Sequence, residues 1–281
     1  MRPDFCAFIL THGRADRVIT FNTLGRCGYT GPVFIVVDNE DKTVDKYRER
    51  FGDKVIVFDK LGVANTIDEG DNFGDRRAII YARNVCFDLA KERGFKYFIE
   101  LDDDYTLFRY RWDGAKKYLM RTLSIKDLDA IWSSMVDYFE SIDALTIAMA
   151  QGGDFMGGNP FGFSVRKTMN SFICSTERPF TFHGRINEDV NTYVLGGSRG
   201  DLFLAVRMVD LKQKQTQSNA GGMTDLYLDA GTYIKSFYTV MSSPSSVCVR
   251  VKFHNTNPRL HHSINWSKAV AQIIPEELRK T

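Results

Sequence analysis

Three consecutive aspartates, Asp102-Asp103-Asp104, follow the short run Tyr97-Phe98-Ile99-Glu100-Leu101, whose apolar members read as a buried β-strand. Like charges packed this closely repel one another at a cost that a cation among them relieves. Carboxylate oxygens are hard ligands, so the expected ion is Mg²⁺ or Mn²⁺. Such an ion, held by one or two carboxylates, commonly holds substrate phosphates as well. The acids therefore point to chemistry on a diphosphate. The plain alternative is a solvated acidic turn after a strand.

The elements that must position these acids form a repeating pattern. Ile79, Tyr81/Ala82, Val85/Cys86 and Leu89 recur at helical spacing before the acid-bearing strand, and Gly94 is a helix stop. Phe5 to Leu10 is a nearly continuous apolar run, as a strand covered on both faces requires, and it opens into the polar loop 11–17. Residues 33–37 and 55–58 read as further buried strands, ending at Asp38 and Asp59, with a charged, helix-compatible stretch at 43–51 between them. Strands alternating with helices predict a doubly wound α/β fold, and ligands of such sheets bind beyond the carboxyl ends of the strands. Neither a GxGxxG turn after the first strand nor a GxxxxGK[ST] loop is present, which argues against a dinucleotide fold or a P-loop. Farther along, 125–141 reads as an amphipathic helix and 144–150 as a strand. Residues 151–160 hold four glycines and are expected to form a lid-like loop, and 212–218 is the most polar run.

The opening Thr11-His12-Gly13-Arg14, Asp38 after the second strand, Ala82-Arg83-Asn84 and the aspartate triplet together resemble a GT-A nucleotide-sugar glycosyltransferase. The segments 182–193, 219–224, 231–237 and His261-His262-Ser263-Ile264-Asn265-Trp266 narrow the resemblance to the TET-associated glycosyltransferases, largely phage enzymes that act on hydroxymethylated pyrimidines in DNA. The resemblance covers nearly the whole chain. It implies a GT-A fold, Rossmann-like, with a mostly parallel twisted sheet flanked by helices. It implies one compact domain over 1–281, with a nucleotide-sugar and metal half at 1–108 and an acceptor-side half at 109–281. Thr11, His12, Arg14, Asp38, Arg83, Asn84, Asp102 and Asp103 would then contact the donor, a UDP-sugar foremost. Asp102 and Asp104 would bind Mn²⁺ or Mg²⁺, with His262, or else His261, completing the metal shell. If the two histidines share a strand, their side chains point to opposite faces and at most one enters the site. Transfer of a sugar to a hydroxyl gains from a carboxylate that accepts the hydroxyl proton. Asp189 is the first choice for that base and Glu188 the second. A purely structural role, capping the helix that follows, is the alternative.

Bulk properties are compatible with this reading. The chain has 281 residues, 43% of them hydrophobic, and a formal charge of +2. No stretch approaches the roughly 20 apolar residues that span a bilayer. The first residues, with Arg2 and Asp4, lack a signal-peptide core, and five scattered cysteines without CxxC spacing suit a reducing compartment. The expected setting is cytoplasmic (the host cytoplasm, if the chain is phage-encoded). A DNA acceptor needs a local basic surface. Arg109, Arg111, Lys116, Lys117 and Arg121, interleaved with Tyr110, Trp112 and Tyr118, form the candidate, with Lys212 and Lys214 as a second patch. The competing readings are a GT-A enzyme acting on a saccharide, lipid or protein, a metal-dependent nucleotidyltransferase, and a non-enzymatic DNA-binding module.

Overall fold

Alternate residues of β1 (Phe5–Leu10) face opposite sides of a sheet and enter two separate cores. Phe5, Ala7 and Ile9 join one core, and Cys6, Phe8 and Leu10 join the other. A run that is apolar throughout is what a strand covered on both faces needs. The computed structural model describes residues 1–112, 118–151, 163–165, 167–214, 224–254 and 257–272. The expected lid at 152–160, Lys116, Lys117, and the polar run from 215 onward lie outside the described residues, as do the side chains of Trp112, Tyr118 and Arg121.

The sheet runs β3 (Val55–Phe58), β2 (Val33–Asp38), β1, β4 (Tyr97–Asp102), β9 (Ser171–Ser175), β7 (Thr146–Ala150), β10 (Phe203–Gln213), β5 (Tyr105–Trp112) and β6 (Tyr118–Ser124), with β8 (Phe163–Val165) paired to β10. The first four are parallel neighbours. Following the pairings across, seven of these ten strands point one way, while β9, β5 and β8 run against them. The sheet is thus mixed in its pairings and mostly parallel in strand direction. A separate two-stranded hairpin joins β11 (Val247–His254) to β12 (Asn257–Ile264).

Helices cover both faces. Leu24 of α1 (Ile19–Arg26), Tyr47 of α2 (Val44–Phe51), and Trp132 and Phe139 of α5 (Leu128–Glu140) seal one core. The short α3 (Lys60–Ala64) and Tyr81, Cys86 and Phe87 of α4 (Ile80–Glu92) seal the other. A third cluster joins Val190, Tyr193 and Val194 of α6 (Glu188–Arg199) to Phe203 and Val247. Val240 of α7 (Thr224–Ser242) packs against its margin. Periodicity finds α2, α4, α5 and the strands at 5–10, 33–38, 55–58, 97–102 and 146–150. It misses the β5–β6 hairpin, β9, β10 and the β11–β12 hairpin, where charged and apolar residues mix or the runs are short. Cys6, Cys27, Cys86 and Cys174 are buried thiols, and Cys248 is exposed.

Candidate active site

The carboxyl ends of β1, β2, β3 and β4 share one edge, and the predicted site residues of the first half collect there. Folding separates the three aspartates into different environments. Asp102 turns toward α4, where Arg83 Nη2–H donates to its Oδ1 at 3.1 Å. Asp103 turns back toward the loop after β1 and accepts from Thr11 Oγ1–H at 2.6 Å and Arg14 Nη1–H at 3.3 Å. The Asp104 carboxylate makes no hydrogen bond or ion pair with the described residues. The turn itself is fastened by α1. Thr20 Oγ1–H donates to the Asp102 carbonyl at 2.6 Å and the same oxygen accepts from Tyr105 N–H at 2.9 Å.

Arg83 organises the acids. Its guanidinium is buried against the rings of Phe172 and Phe182, at 4.7 and 5.7 Å from their centroids. Besides Asp102 it donates from Nε to Glu188 Oε1 at 3.1 Å and from Nη1 to Glu100 Oε2 at 3.4 Å. One cation thus faces three carboxyls, and it remains charged. Glu100 is fully buried with its second oxygen unpartnered among the described residues, and burial pushes its carboxyl up to about 8. It is therefore protonated near neutral pH. Burial pushes Asp102 up to about 6 against the opposing pull of Arg83. Burial and the charge of Asp103 raise Asp104 to about 6 as well. Asp102 still shows about a quarter of its side chain to solvent, so water offsets part of that cost. Glu188 is raised by burial and by its neighbour Asp189.

The residues fit a divalent cation in one respect. Asp104 has no partner among the described residues, Asp102 has a second oxygen beyond Arg83, and both are raised by burial and, after it, by neighbouring acids, a condition that a cation relieves. They do not make a complete shell. Among the described residues no three His, Cys, Asp or Glu side chains converge on one point, so Asp102, Asp104, His261 and His262 are not gathered into one ligand set. His262 instead reaches α6, with Nδ1 3.4 Å from the Asn187 amide nitrogen. His261 donates from Nδ1 to the His262 carbonyl at 2.7 Å. Both lie on β12 as the alternation argument supposes, yet their rings come within 4.3 Å. Burial, and then the neighbouring His261, lower His262 to about 3, which keeps it neutral.

A cleft of about 360 Å³ opens beside β1 and β3, lined by His12, Glu40, Lys60, Gly74, Arg76 and Arg77 among others. Asp38 at its back is buried and fully engaged. Oδ2 accepts from His12 Nδ1–H at 2.7 Å, and Oδ1 accepts from Glu40 N–H at 3.1 Å and faces Lys60 Nζ at 3.3 Å. Burial raises the Asp38 carboxyl, but His12 and Lys60 outweigh it and hold Asp38 below its ordinary range. His12 is 46% exposed at its side chain, whereas Asp38 is buried. Lys60, Arg76 and Arg77 escape sequence reasoning, although the Arg76-Arg77 doublet just before α4 was a visible signal.

The structure relocates Asn84, Arg109 and Arg111. Asn84 does not face the cleft. Its amide donates to the Ile80 and Phe182 carbonyls and accepts from Phe182 N–H, clamping the segment that leads to α6. Arg109 and Arg111 do not form an open basic face, because both guanidiniums lie on buried Asp210 at 2.6 Å. The acid pair opens α6 after Asn187, whose φ of 62° is a left-handed conformation that asparagine tolerates. Asp189 Oδ1 accepts from Val190 N–H at 2.7 Å, which satisfies the first turn of the helix.

The open α/β sheet thus gathers aspartates, an arginine and a histidine–aspartate pair at its strand ends, where ligands of such sheets bind. A family model of the TET-associated glycosyltransferases matches residues 5–222, over three quarters of the chain, and the chain belongs to that family. Comparison with curated proteins finds no match. Among solved structures, the chain is similar to Staphylococcus aureus TarS 1-349 in complex with UDP (TM-score 0.43, 13% identity, covering 74% of this chain and 59% of that one). It is also similar to Mycobacterium tuberculosis glucosyl-3-phosphoglycerate synthase in complex with Mg²⁺ and UDP (TM-score 0.47, 10% identity, covering 92% and 87%). The chain thus spans about three fifths of the TarS fragment.

Proposed function

We propose that the protein moves a sugar from a nucleotide-sugar, foremost a UDP-sugar, to the hydroxyl of a hydroxymethylated pyrimidine in DNA, 5-hydroxymethylcytosine foremost. The family supports the acceptor. The observation that carries the reaction is the Arg83 bridge, which fixes Glu188 at the start of α6 to Asp102 at the end of β4. It puts a possible acceptor base beside the acids of the donor edge. The cleft at His12, Lys60 and Arg76 takes the nucleoside end of the donor, and residues 109–281 supply most of the acceptor side. A divalent cation held by Asp102 and Asp104 would neutralise charge on the departing diphosphate.

In the reaction, the acceptor oxygen bonds to the anomeric carbon and the bond from that carbon to the diphosphate breaks. The electron pair leaves with the diphosphate, and the hydroxyl proton passes to Asp189. Glu188, held by Arg83, positions the start of α6 so that its neighbour meets the acceptor. Arg14, beside Asp103, adds positive charge near the leaving group. Incubating hydroxymethylated DNA with a panel of nucleotide sugars, followed by mass spectrometry of the nucleosides, tests the reading. A hexose gained by the modified pyrimidine is expected. Transfer to a saccharide, lipid or protein with none to DNA would overturn the acceptor and keep the donor half.

A further inference from the structure

The strap 68–77, between α3 and α4, touches both the cleft and the turn that leads into α6. At one end Gly74, Asp75, Arg76 and Arg77 line the cleft. At the other, two backbone hydrogen bonds fasten the strap to the turn. Gly184 N–H donates to the Asp68 carbonyl at 3.0 Å, and Arg185 N–H donates to the Glu69 carbonyl at 2.8 Å. The turn is itself tied to the helix. His183 N–H donates to Thr192 Oγ1 at 3.0 Å, and the Asn191 amide donates to the His183 and Ile186 carbonyls at 3.1 and 3.0 Å. Glu188 and Asp189 open that helix.

Arg185 is the side chain that spans strap and turn, and it is buried. Its Nε–H donates to Asp71 Oδ2 at 2.6 Å, and its Nη2–H donates to the Tyr238 hydroxyl of α7 at 3.3 Å. Its Nη1 has no hydrogen-bond partner among the described residues and lies 3.7 Å from Asp75 Oδ2. That oxygen already accepts from Arg77 Nη2–H at 2.8 Å, while Asp75 Oδ1 accepts from Arg77 Nε–H at 3.0 Å. Arg77 chiefly, with Arg185 behind it, holds the Asp75 carboxyl down to about 2 against the pull of burial, so the acid is charged at neutral pH. A buried donor without an acceptor is costly. The acid nearest to Nη1 is engaged by a cation that lines the cleft.

We propose that Arg185 is a positioning residue that couples occupancy of the cleft to the start of α6. The phosphate next to a nucleoside seated in the cleft competes with Asp75 for the guanidinium of Arg77. Asp75 Oδ2 is then released to Arg185 Nη1–H, and the strap tightens on the turn that carries Glu188 and Asp189. The acids are set for the acceptor only when the donor is in place. The inference rests on the proposed donor cleft and on the proposed base in α6, and it joins the two.

The test is hydrogen–deuterium exchange of the whole chain, read with and without UDP and with Mn²⁺ present throughout. UDP should slow exchange at 74–77 and also at 183–192, there by about fivefold or more, the low end of a coupling between two sites. Arg185→Lys keeps the charge and loses the planar fork that reaches both acids. It should still bind UDP and keep the protection at 74–77, but lose it at 183–192. Its turnover in transfer should fall by up to about 10²-fold, the scale of a small misplacement at the reacting centre, with the donor KM nearly unchanged. Asp75→Asn should lose the same distant protection, and it decides the matter if Arg185→Lys does not fold. Asp210→Asn, which disturbs the sheet elsewhere, controls for lost stability and should keep the protection at 183–192. Protection at 74–77 alone in the unmutated protein would overturn the coupling and leave the donor cleft standing. An equal loss in Asp210→Asn and Arg185→Lys would make Arg185 a scaffold residue and overturn the proposal. If UDP, or GDP, CDP and dTDP in its place, protect neither segment, the cleft reading falls and the coupling falls with it.

Discussion

Two buried arginine–carboxylate clusters lie in the same sheet and are charged in opposite ways. At the end of β4 one guanidinium, Arg83, faces Glu100, Asp102 and Glu188, with Asp104 nearby and unpartnered among the described residues. Between β5 and β10 one carboxylate, Asp210, faces two guanidiniums, Arg109 and Arg111. Both are removed from water to similar degrees. The first lies at a strand end and holds more acid than its cation can compensate, with several carboxyls displaced upward. The second lies within the strands, where its charges are taken up by hydrogen bonds between neighbours. Burial therefore does not distinguish the site from the scaffold. The unbalanced charge at a ligand-binding edge does.

The comparison breaks most sharply at Asp104. Asp104→Ala should reduce transfer to background while the far-UV spectrum and cooperative melting persist, because the carboxylate makes no hydrogen bond or ion pair among the described residues. Chelation by EDTA should do the same, and restoration by Mn²⁺ would confirm that a cation relieves the crowding. Full turnover in excess chelator would remove the ion from the reaction. Next in size, Asp189→Asn should lower turnover by about 10²–10⁴-fold with donor affinity nearly intact, the scale of a lost general base. If Asp189 only caps α6, the variant should instead lose up to about 2 kcal/mol of stability and keep its rate. Glu188→Gln, assayed beside it, shows which acid takes the proton.

Asp210→Asn tests the scaffold cluster. It strands two buried guanidiniums against a neutral amide and should cost about 3–5 kcal/mol in chemical denaturation. Transfer per folded molecule should not change. A selective loss of turnover without destabilisation would move the second cluster into the site. The corresponding DNA measurement, Arg109→Ala with Arg111→Ala, should lower stability and leave the salt slope of DNA binding where it was.

The smallest effect is a pH trend. Folding raises Asp102 and Asp104 to about 6, above the ordinary carboxylate range. Between pH about 4 and about 6 the folded chain therefore holds more protons than the unfolded one, and stability falls as pH rises through that window. The ligand-free protein should melt higher at pH 5.5 than at pH 8 as far as these groups act. Asp104→Asn should raise the melting temperature at pH 8 by about 2–4 °C, equivalent to about 1 kcal/mol. A lower melting temperature in that variant would mean that Asp104 has a stabilising partner.

The amino-acid sequence alone determined the parallel half of the fold and the ligand edge. Runs such as Phe5–Leu10 and Tyr97–Leu101 are apolar along their whole length, and the residues that end them are polar, so strand and edge are both local properties. Asp102, Asp103, His12 and Asp38 were legible for that reason. The tertiary structure decided how their charges are shared. Asp103 turns to Thr11 and Arg14, Asp102 turns to Arg83, and Asp38 is engaged by His12 and Lys60, pairings that span 19 to 92 positions. Only folding showed that Arg109 and Arg111 are neutralised on Asp210, that Asn84 clamps Phe182, and that a carboxyl-terminal hairpin brings His262 to Asn187 at the start of α6. Local pattern reports which faces must be buried. Whether a charge is spent on a partner depends on residues far away in the chain, which meet only once the sheet has closed.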